Sequence, residues 1–244
     1  IADGRWSKSR KNKIKDSRVL STRNLVSTLK SIKNPPDTFI SASAVGFYGK
    51  DRPVELYEDL GPGKDFLAGV CKEWEHEAFA ARDHNIRTIA LRIGIVLGYE
   101  GGAIKKMLPP FWAGVGGTLG DGNQWMSWIH IKDLVGMIIH SLENKTMQGA
   151  YNATSPDPVT NIAFTKCLAK VLRRPAILPV PKLALKIILG EMSDLLLGSL
   201  KVSSSKIIES GYTFQFPYLL SALNDICKNS TNEFIVEHWL PLPI

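Results

Sequence analysis

The run RTIALRIGIVLG, Arg87 to Gly98, constrains the fold more than any other stretch. Its apolar residues are nearly continuous and rich in β-branched types, where a strand with one wet face would alternate. Such a run suits a strand buried on both faces, as in a parallel sheet covered by helices. Gly98 and Gly101-Gly102 end it. A second strand, TFISAS, starts at Thr38 and runs into FISASAVGFYG, Phe39 to Gly49. In open α/β sheets ligands sit beyond the C-terminal strand ends. Ser41, Ser43, Tyr48 and the segment after Arg92 are therefore expected at an open surface there.

Helical patterns separate the strands. A helix is expected from about Lys8 to Lys33, with Ile14, Leu25, Val26 and Leu29 on its apolar side, stopping before Asn34-Pro35-Pro36. Another spans about Asp65 to Asp83, with Phe66, Val70, Trp74 and Phe79 inward. Gly114, Gly116, Gly117, Gly120 and Gly122 mark a loop that does not lead a strand into a helix, which argues against a phosphate cradle. WMSWIHI reads as a strand, Asp133 as the cap of a helix through Leu142, and GAYNAT as a short strand. Thr160 or Asn161 caps a helix through Val171, RPAILPVP is extended, and short helices follow, the last near Tyr218 to Cys227. The tail 229–244 has no clear period and is expected to attach loosely.

Strand–helix alternation with one long irregular insertion predicts an α/β protein, a doubly wound parallel sheet carrying a smaller C-terminal α+β lobe. Residues 1–98 and 129–145 are assigned to the sheet domain, 99–128 and 146–228 to the lobe.

Three cysteines, Cys71, Cys167 and Cys227, are widely spaced and lack metal-ligand spacing, which predicts free thiols, a reducing cytoplasmic setting and no metal. No apolar run reaches the roughly 18 residues of a membrane span, so no membrane partner is expected. The net charge of +7 concentrates in residues 1–30. No aromatic platform accompanies those charges, so they read as the solvated face of an amphipathic helix, and a nucleic-acid partner is not expected.

The order FISASAVGFYG, LRIGIVLG, GDGNQWMSWIHIKDLV and GAYNATSPDPVTN resembles the extended short-chain dehydrogenase/reductase superfamily. IADGRW, Ser17-Arg18-x-x-x-Thr22, KEWE, GGA after LRIGIVLG, MLPPF and WIHIKDL resemble one branch, the atypical NADP-binding epimerase family, whose members are also called division-inhibitor-like or nucleoside-diphosphate-sugar epimerase-like. The resemblance covers about Ile1 to Cys227. It implies a Rossmann-like sheet, NADP as cofactor, a small-molecule substrate enclosed by the lobe, and a homodimer through the first helix and the helix at Asp65 to Asp83.

The resemblance also implies site residues. Ser43 takes the position of the serine that binds the reacting oxygen, and Gly94 and Ile95 that of the backbone beside nicotinamide and substrate. Arg18 stands where ordinary members carry an asparagine facing the site, and an arginine there suits a phosphate or carboxylate. Ser41 and Cys71 join the cofactor side; Cys71 is read either as a reactive thiol or as an inert core residue. Arg92 either positions substrate or pairs within the fold. Trp128 and His130 alternate on one strand face near the lobe and are assigned to the substrate side, with structural packing as the other reading of the histidine.

Two departures matter. Ordinary members transfer a proton through a Tyr-x-x-x-Lys pair, where lysine and the nicotinamide charge lower a phenol pKa of about 10. With Glu75 as the usual helix acid, those positions hold Leu67 and Cys71; the other register gives Phe66 and Val70. Tyr48 is then the candidate proton donor, against a packing role. Family members also begin with a strand and G-x-x-G-x-x-G opening a helix, which this sequence does not contain. By that pattern about 60 to 80 residues of a Rossmann half are missing. Weak or absent cofactor binding and an exposed sheet edge are expected. The functions to separate are an NADP-dependent oxidoreductase or epimerase-like enzyme with an atypical site and a regulatory protein that binds the dinucleotide without turnover.

Overall fold

The computed structural model describes residues 4–228, so the tail 229–244 lies outside the described residues. Helix α1 (Lys8–Ser31) starts at Ser7, whose hydroxyl accepts the Arg10 N–H, and ends before the two prolines. Strand β1 (Thr38–Ala44) runs into a 3-10 turn, Val45–Tyr48, then β2 (Asp51–Leu56). Asp65 caps α2 (Phe66–Phe79), which tightens into a 3-10 turn at Ala80–His84. Next come β3 (Arg87–Ile93), β4 (Ile95–Leu97), α3 (Gly102–Trp112), β5 (Trp125–Met126) and β6 (Trp128–His130). Helix α4 (Ile131–Glu143), β7 (Gly149–Ala153), β8 (Val159–Thr160) and α5 (Asn161–Leu172) follow. The chain continues with α6 (Lys182–Leu189), α7 (Asp194–Leu197), β9 (Ser199–Val202), α8 (Ser205–Glu209) and a last helix, α9, at 219–228.

The main sheet is parallel, in the order β1-β3-β7, with Ser43 opposite Arg92 and Arg92 opposite Asn152. Strand β7, expected in the lobe, is its third strand. Alternation fixes what each face carries. Ile40 lies level with Ile89, and this face packs against Leu134 and Met137 of α4. The opposite face carries Phe39 against Val26 and Leu29 of α1, and Arg92 against Glu75 of α2. Helices thus cover both faces, as the apolar strands demand. A second core, around Trp128, Ile104, Phe111, Phe164 and Leu223, holds the lobe together. Each such buried side chain contributes about 1.5–3 kcal/mol of transfer free energy.

The sheet's two edges differ. Arg87 N–H donates to Asp37 O, so the odd-numbered backbone groups of β1 face β3 and those of Thr38, Ile40 and Ala42 face outward. Among the described residues β1 has a strand neighbour only on the β3 side. The outer edge of β7 is closed by side chains instead. Glu58 Oε1 accepts the Asn152 N–H at 2.8 Å, and Lys206 Nζ donates to Ala150 O at 2.7 Å.

Several expectations are corrected. Leu25 is 48% exposed, and Val19 and Thr22 join Ile14, Val26 and Leu29 in the buried stripe. The inward line of α2 is Ala68, Val70, Cys71, Glu75 and Ala78; Phe66, Trp74 and Phe79 stay half-buried at its margins. Asp133 does not cap α4. His130 does, its Nδ1 accepting the Lys132 N–H, while buried Asp133 accepts the N–H groups of Gln215 and Phe216. The parallel pair β2–β9 has no counterpart in the sequence reading, because DRPVEL is polar and buries only Leu56.

Candidate functional site

The C-terminal ends of β1, β3 and β7 converge with α2 on one buried polar network. The Arg92 guanidinium grips Glu75 with two parallel bonds, Nε to Oε1 at 2.9 Å and Nη2 to Oε2 at 3.0 Å. Ser43 Oγ donates to the same Oε1 at 2.6 Å. On its other side Arg92 Nη1 donates to Tyr48 OH at 3.0 Å and to Glu58 O at 3.2 Å. Tyr48 OH in turn donates to Asn152 Oδ1 at 2.7 Å. Asn152 uses its amide to tie Leu56 O and Ser203 O, reaching into the lobe. The Phe47 ring lies 3.5 Å from the guanidinium carbon, so the cation is stacked as well as paired.

Ser41, Ser43 and Tyr48 are buried rather than displayed at an open surface. The phenol of Tyr48 is fully covered and both donates and accepts, and burial raises its pKa, with Arg92 pulling the other way. Ser41 Oγ donates to the carbonyl of Ala42. Burial pushes the Cys71 thiol up to about 12, with Glu75 adding to the rise and Ser43, Arg18 and the Ala44 backbone opposing it. At such a value the sulfur is an inert neighbour of Ser43, not a nucleophile. Lys72 points to solvent. Arg18 donates to Ile14 O and Ser17 Oγ and lies over the Trp74 ring, and burial lowers its pKa.

The rest of the predicted set lies further along the strands. Gly94 N–H donates to Ala153 O and Ile95 N–H to Ser127 O, which stitches the main sheet to the strand at Trp128. A Cβ at Gly94 would stand 2.5 Å from Ser127 O and 2.9 Å from Thr154 Cγ2, so the glycine serves close backbone approach. Trp128 is fully buried in the lobe core and donates to Asp157 O. His130 caps α4, stacks on Phe216, and has Nε2 3.3 Å from Asp225. Both hold the fold and neither joins the Ser43 network. Asn152 and Glu58 were not singled out from sequence. An asparagine inside an apolar strand run was the available signal, because a buried amide needs partners.

A parallel sheet with helices on both faces and a lobe tied to its strand ends is the architecture of a Rossmann-like dinucleotide-binding protein of the epimerase and short-chain dehydrogenase type. Residues 1–154 match the NAD dependent epimerase/dehydratase family, and residues 180–226 match a domain of unknown function, DUF1731. The chain belongs to that epimerase family. It is 41% identical over 226 residues to the "Epimerase family protein SDR39U1 homolog, chloroplastic" of Arabidopsis thaliana, covering 92% of this chain and 65% of the relative. It is 39% identical over 224 residues to the epimerase family protein YfhF of Bacillus subtilis, covering 91% of this chain and 74% of that one. The chain thus spans about two thirds to three quarters of these relatives. The structure of human epimerase family protein SDR39U1 (isoform 2) with NADPH matches at a TM-score of 0.88 and 32% identity, over 92% of this chain and 77% of that one. A UDP-glucuronic acid 4-epimerase from Bacillus cereus, 18% identical with a TM-score of 0.74, shares the fold.

A whole dinucleotide asks for more than the described residues hold. Ser41, Ser43, Gly94 and Ile95, which the resemblance assigns to the cofactor and the reacting centre, lie at the C-terminal ends of β1 and β3 and at the start of β4. Among the described residues the strand-to-helix turn richest in glycine, Gly98 to Gly102 between β4 and α3, lacks the G-x-x-G-x-x-G spacing that aims backbone N–H groups at a pyrophosphate. The described residues therefore do not supply the phosphate cradle of a dinucleotide.

Proposed function

We propose that this chain supplies the substrate-facing walls of an NADP-binding, epimerase-like oxidoreductase with an atypical active site, acting on a small carbonyl or carbinol compound. The observation that carries this reading is the match of 92% of the chain to a neighbour solved with NADPH. The burial of Ser43 at the end of β1, level with Arg92, supports placing the reacting centre there. The test is NADPH fluorescence titration and absorbance-monitored turnover across aldehydes, ketones and nucleotide sugars. Turnover that falls at least about tenfold in Ser43→Ala supports the reading. Turnover that survives the substitution unchanged removes Ser43 from the chemistry, and no NADPH binding under any condition sinks the proposal.

One observation favours a second reading, a dinucleotide-binding regulator without turnover. The protons of Ser43 and Tyr48 are already committed, to Glu75 and Asn152, and Leu67 and Cys71 occupy the positions of the usual tyrosine and lysine. NADPH binding with no turnover across the same panel selects it.

A further inference from the structure

On the outer side of β7, away from β3, the chain surrounds a second polar space. The turn at 57–59 after β2, Ala150 of β7, and Ser205 and Lys206 at the start of α8 line a cavity of about 430 Å³. Sites for small molecules span roughly 300–1,000 Å³, so this one has room for a metabolite-sized ligand. The side chains that close the β7 edge, Glu58 and Lys206, are the same ones that face it.

These opposite charges line one space without neutralising each other. Lys206 Nζ donates to Ala150 O at 2.7 Å and stands 4.3 Å from the centre of the Tyr151 ring. Glu58 Oε1 accepts the Asn152 N–H at 2.8 Å. An ammonium carries three donors and a carboxylate about four lone-pair sites, so both groups keep capacity for a ligand. Burial lowers the Lys206 pKa; Glu58 opposes this, while Arg92 and Arg82 add to it. Burial likewise raises the Glu58 pKa, against the Asn152 and Glu58 backbone N–H groups, Lys206 and Arg92. In each case the cost of burial outweighs the opposite charge nearby and stays uncompensated. Asp59 adds an exposed carboxylate to the lining, and Tyr57 a ring that is 42% exposed. With two carboxylates and one ammonium, the cavity is complementary to a molecule bearing one anionic and two cationic groups.

We propose that this cavity binds a free basic α-amino acid of the arginine type: its carboxylate on Lys206, its α-ammonium on Glu58, and its side-chain cation at Asp59 against the Tyr57 ring. Glu58 carries the effect of occupancy inward. Its carbonyl accepts from Arg92 Nη1 at 3.2 Å, and its carboxylate holds the N–H of Asn152, whose Oδ1 accepts the Tyr48 hydroxyl. A ligand on Glu58 thus bears on the network that holds Ser43 without entering it. The inference is independent of the NADP reading.

The test is an NMR titration of the isotope-labelled chain with L-arginine and, separately, with agmatine, which lacks only the carboxylate. The expected result is saturable shifts at the Tyr57, Asp59, Ala150 and Lys206 amides, carried on to Asn152 and the Arg92 side chain. Agmatine is expected to bind at least about tenfold more weakly, because it leaves Lys206 without its anion. Lys206→Met keeps an apolar stem of similar length and removes the ammonium, so the two probes are expected to bind it alike. Asp59 is exposed, so Asp59→Asn leaves the fold intact and is expected to weaken both probes by about two- to fivefold. Equal affinity for arginine and agmatine in the native chain overturns the inference. So does the absence of any saturable shift up to about 10 mM, or saturable shifts confined to another surface. If Lys206→Met does not fold, the native comparison and Asp59→Asn decide the matter, and unchanged affinity in Asp59→Asn counts against the site.

Discussion

Arg92 and Glu75 face each other as two parallel hydrogen bonds, 2.9 and 3.0 Å long, with each side chain about 5% exposed. The pair ties β3 to α2, and Ser43 hangs from it. Glu75→Ala leaves a buried guanidinium without its counter-ion and is expected to cost about 3–5 kcal/mol. Ser43→Ala removes one donor while Arg92 still satisfies the carboxylate, and is expected to cost about 0.5–1.5 kcal/mol. Urea denaturation monitored by tryptophan fluorescence measures both. Equal costs for the two variants would show that the ion pair is not the anchor.

The Cys71 thiol, pushed up to about 12 by burial, makes a statement about stability as well as reactivity. The unfolded chain releases this proton near the ordinary thiol value, whereas the folded chain holds it. The stabilisation is fully present below that ordinary value and is lost as pH rises toward 12. The expected outcome is that Cys71→Ala flattens the fall in unfolding free energy between pH 8.5 and pH 10. In the native protein at pH 8, mass spectrometry after brief iodoacetamide treatment is expected to find Cys71 unmodified. Rapid native alkylation at that sulfur would restore the reactive reading.

The sheet was legible because RTIALRIGIVLG and FISASA carry a signal that few other structures tolerate, and the caps at Asp65 and Thr160 mark helix starts through side-chain chemistry visible in the letters. What stayed hidden is tertiary. The position of Cys71 on α2 was readable from Glu75, but nothing local says that Glu75 meets Arg92, 17 residues on, or that Asn152 closes the network from a third strand. His130 was missed as a cap, and Asp133 taken for one, because both side chains sit at a helix start and only the packing of 212–216 decides which turns inward. The β2–β9 pair escaped because it is short and polar, so its pairing owes nothing to periodicity.

Gly94 gives a sharper test of close approach. A methyl group there meets the Ser127 backbone oxygen at 2.5 Å, which a flexible side chain cannot relieve. Gly94→Ala is expected to cost about 1–3 kcal/mol by overpacking. Gly69, inside α2 with nothing within 4 Å of its would-be Cβ, provides the opposite case. Gly69→Ala is expected to stabilise by about 0.5–1 kcal/mol through helix propensity. Opposite signs in thermal or urea unfolding support the reading, and a neutral Gly94→Ala refutes it.

His130 couples helix capping to pH. Burial lowers its pKa below 6.5, and Lys132 works in the same direction, while Asp225 and Asp133 oppose them without prevailing. Just below pH 6.5 the unfolded chain therefore takes up a proton that the folded chain resists, so stability falls as pH drops through that window. The structural reason is direct, because a protonated Nδ1 cannot accept the Lys132 N–H that starts α4. Asn is a good N-cap and does not titrate, so His130→Asn keeps the cap and removes the proton. Thermal unfolding midpoints between pH 7.5 and pH 5.5 are expected to fall more steeply in the native protein than in His130→Asn, the other histidines contributing equally to both. Parallel curves would mean that His130 takes up its proton equally in the folded and the unfolded chain, so that its ring does not depend on staying neutral to cap α4.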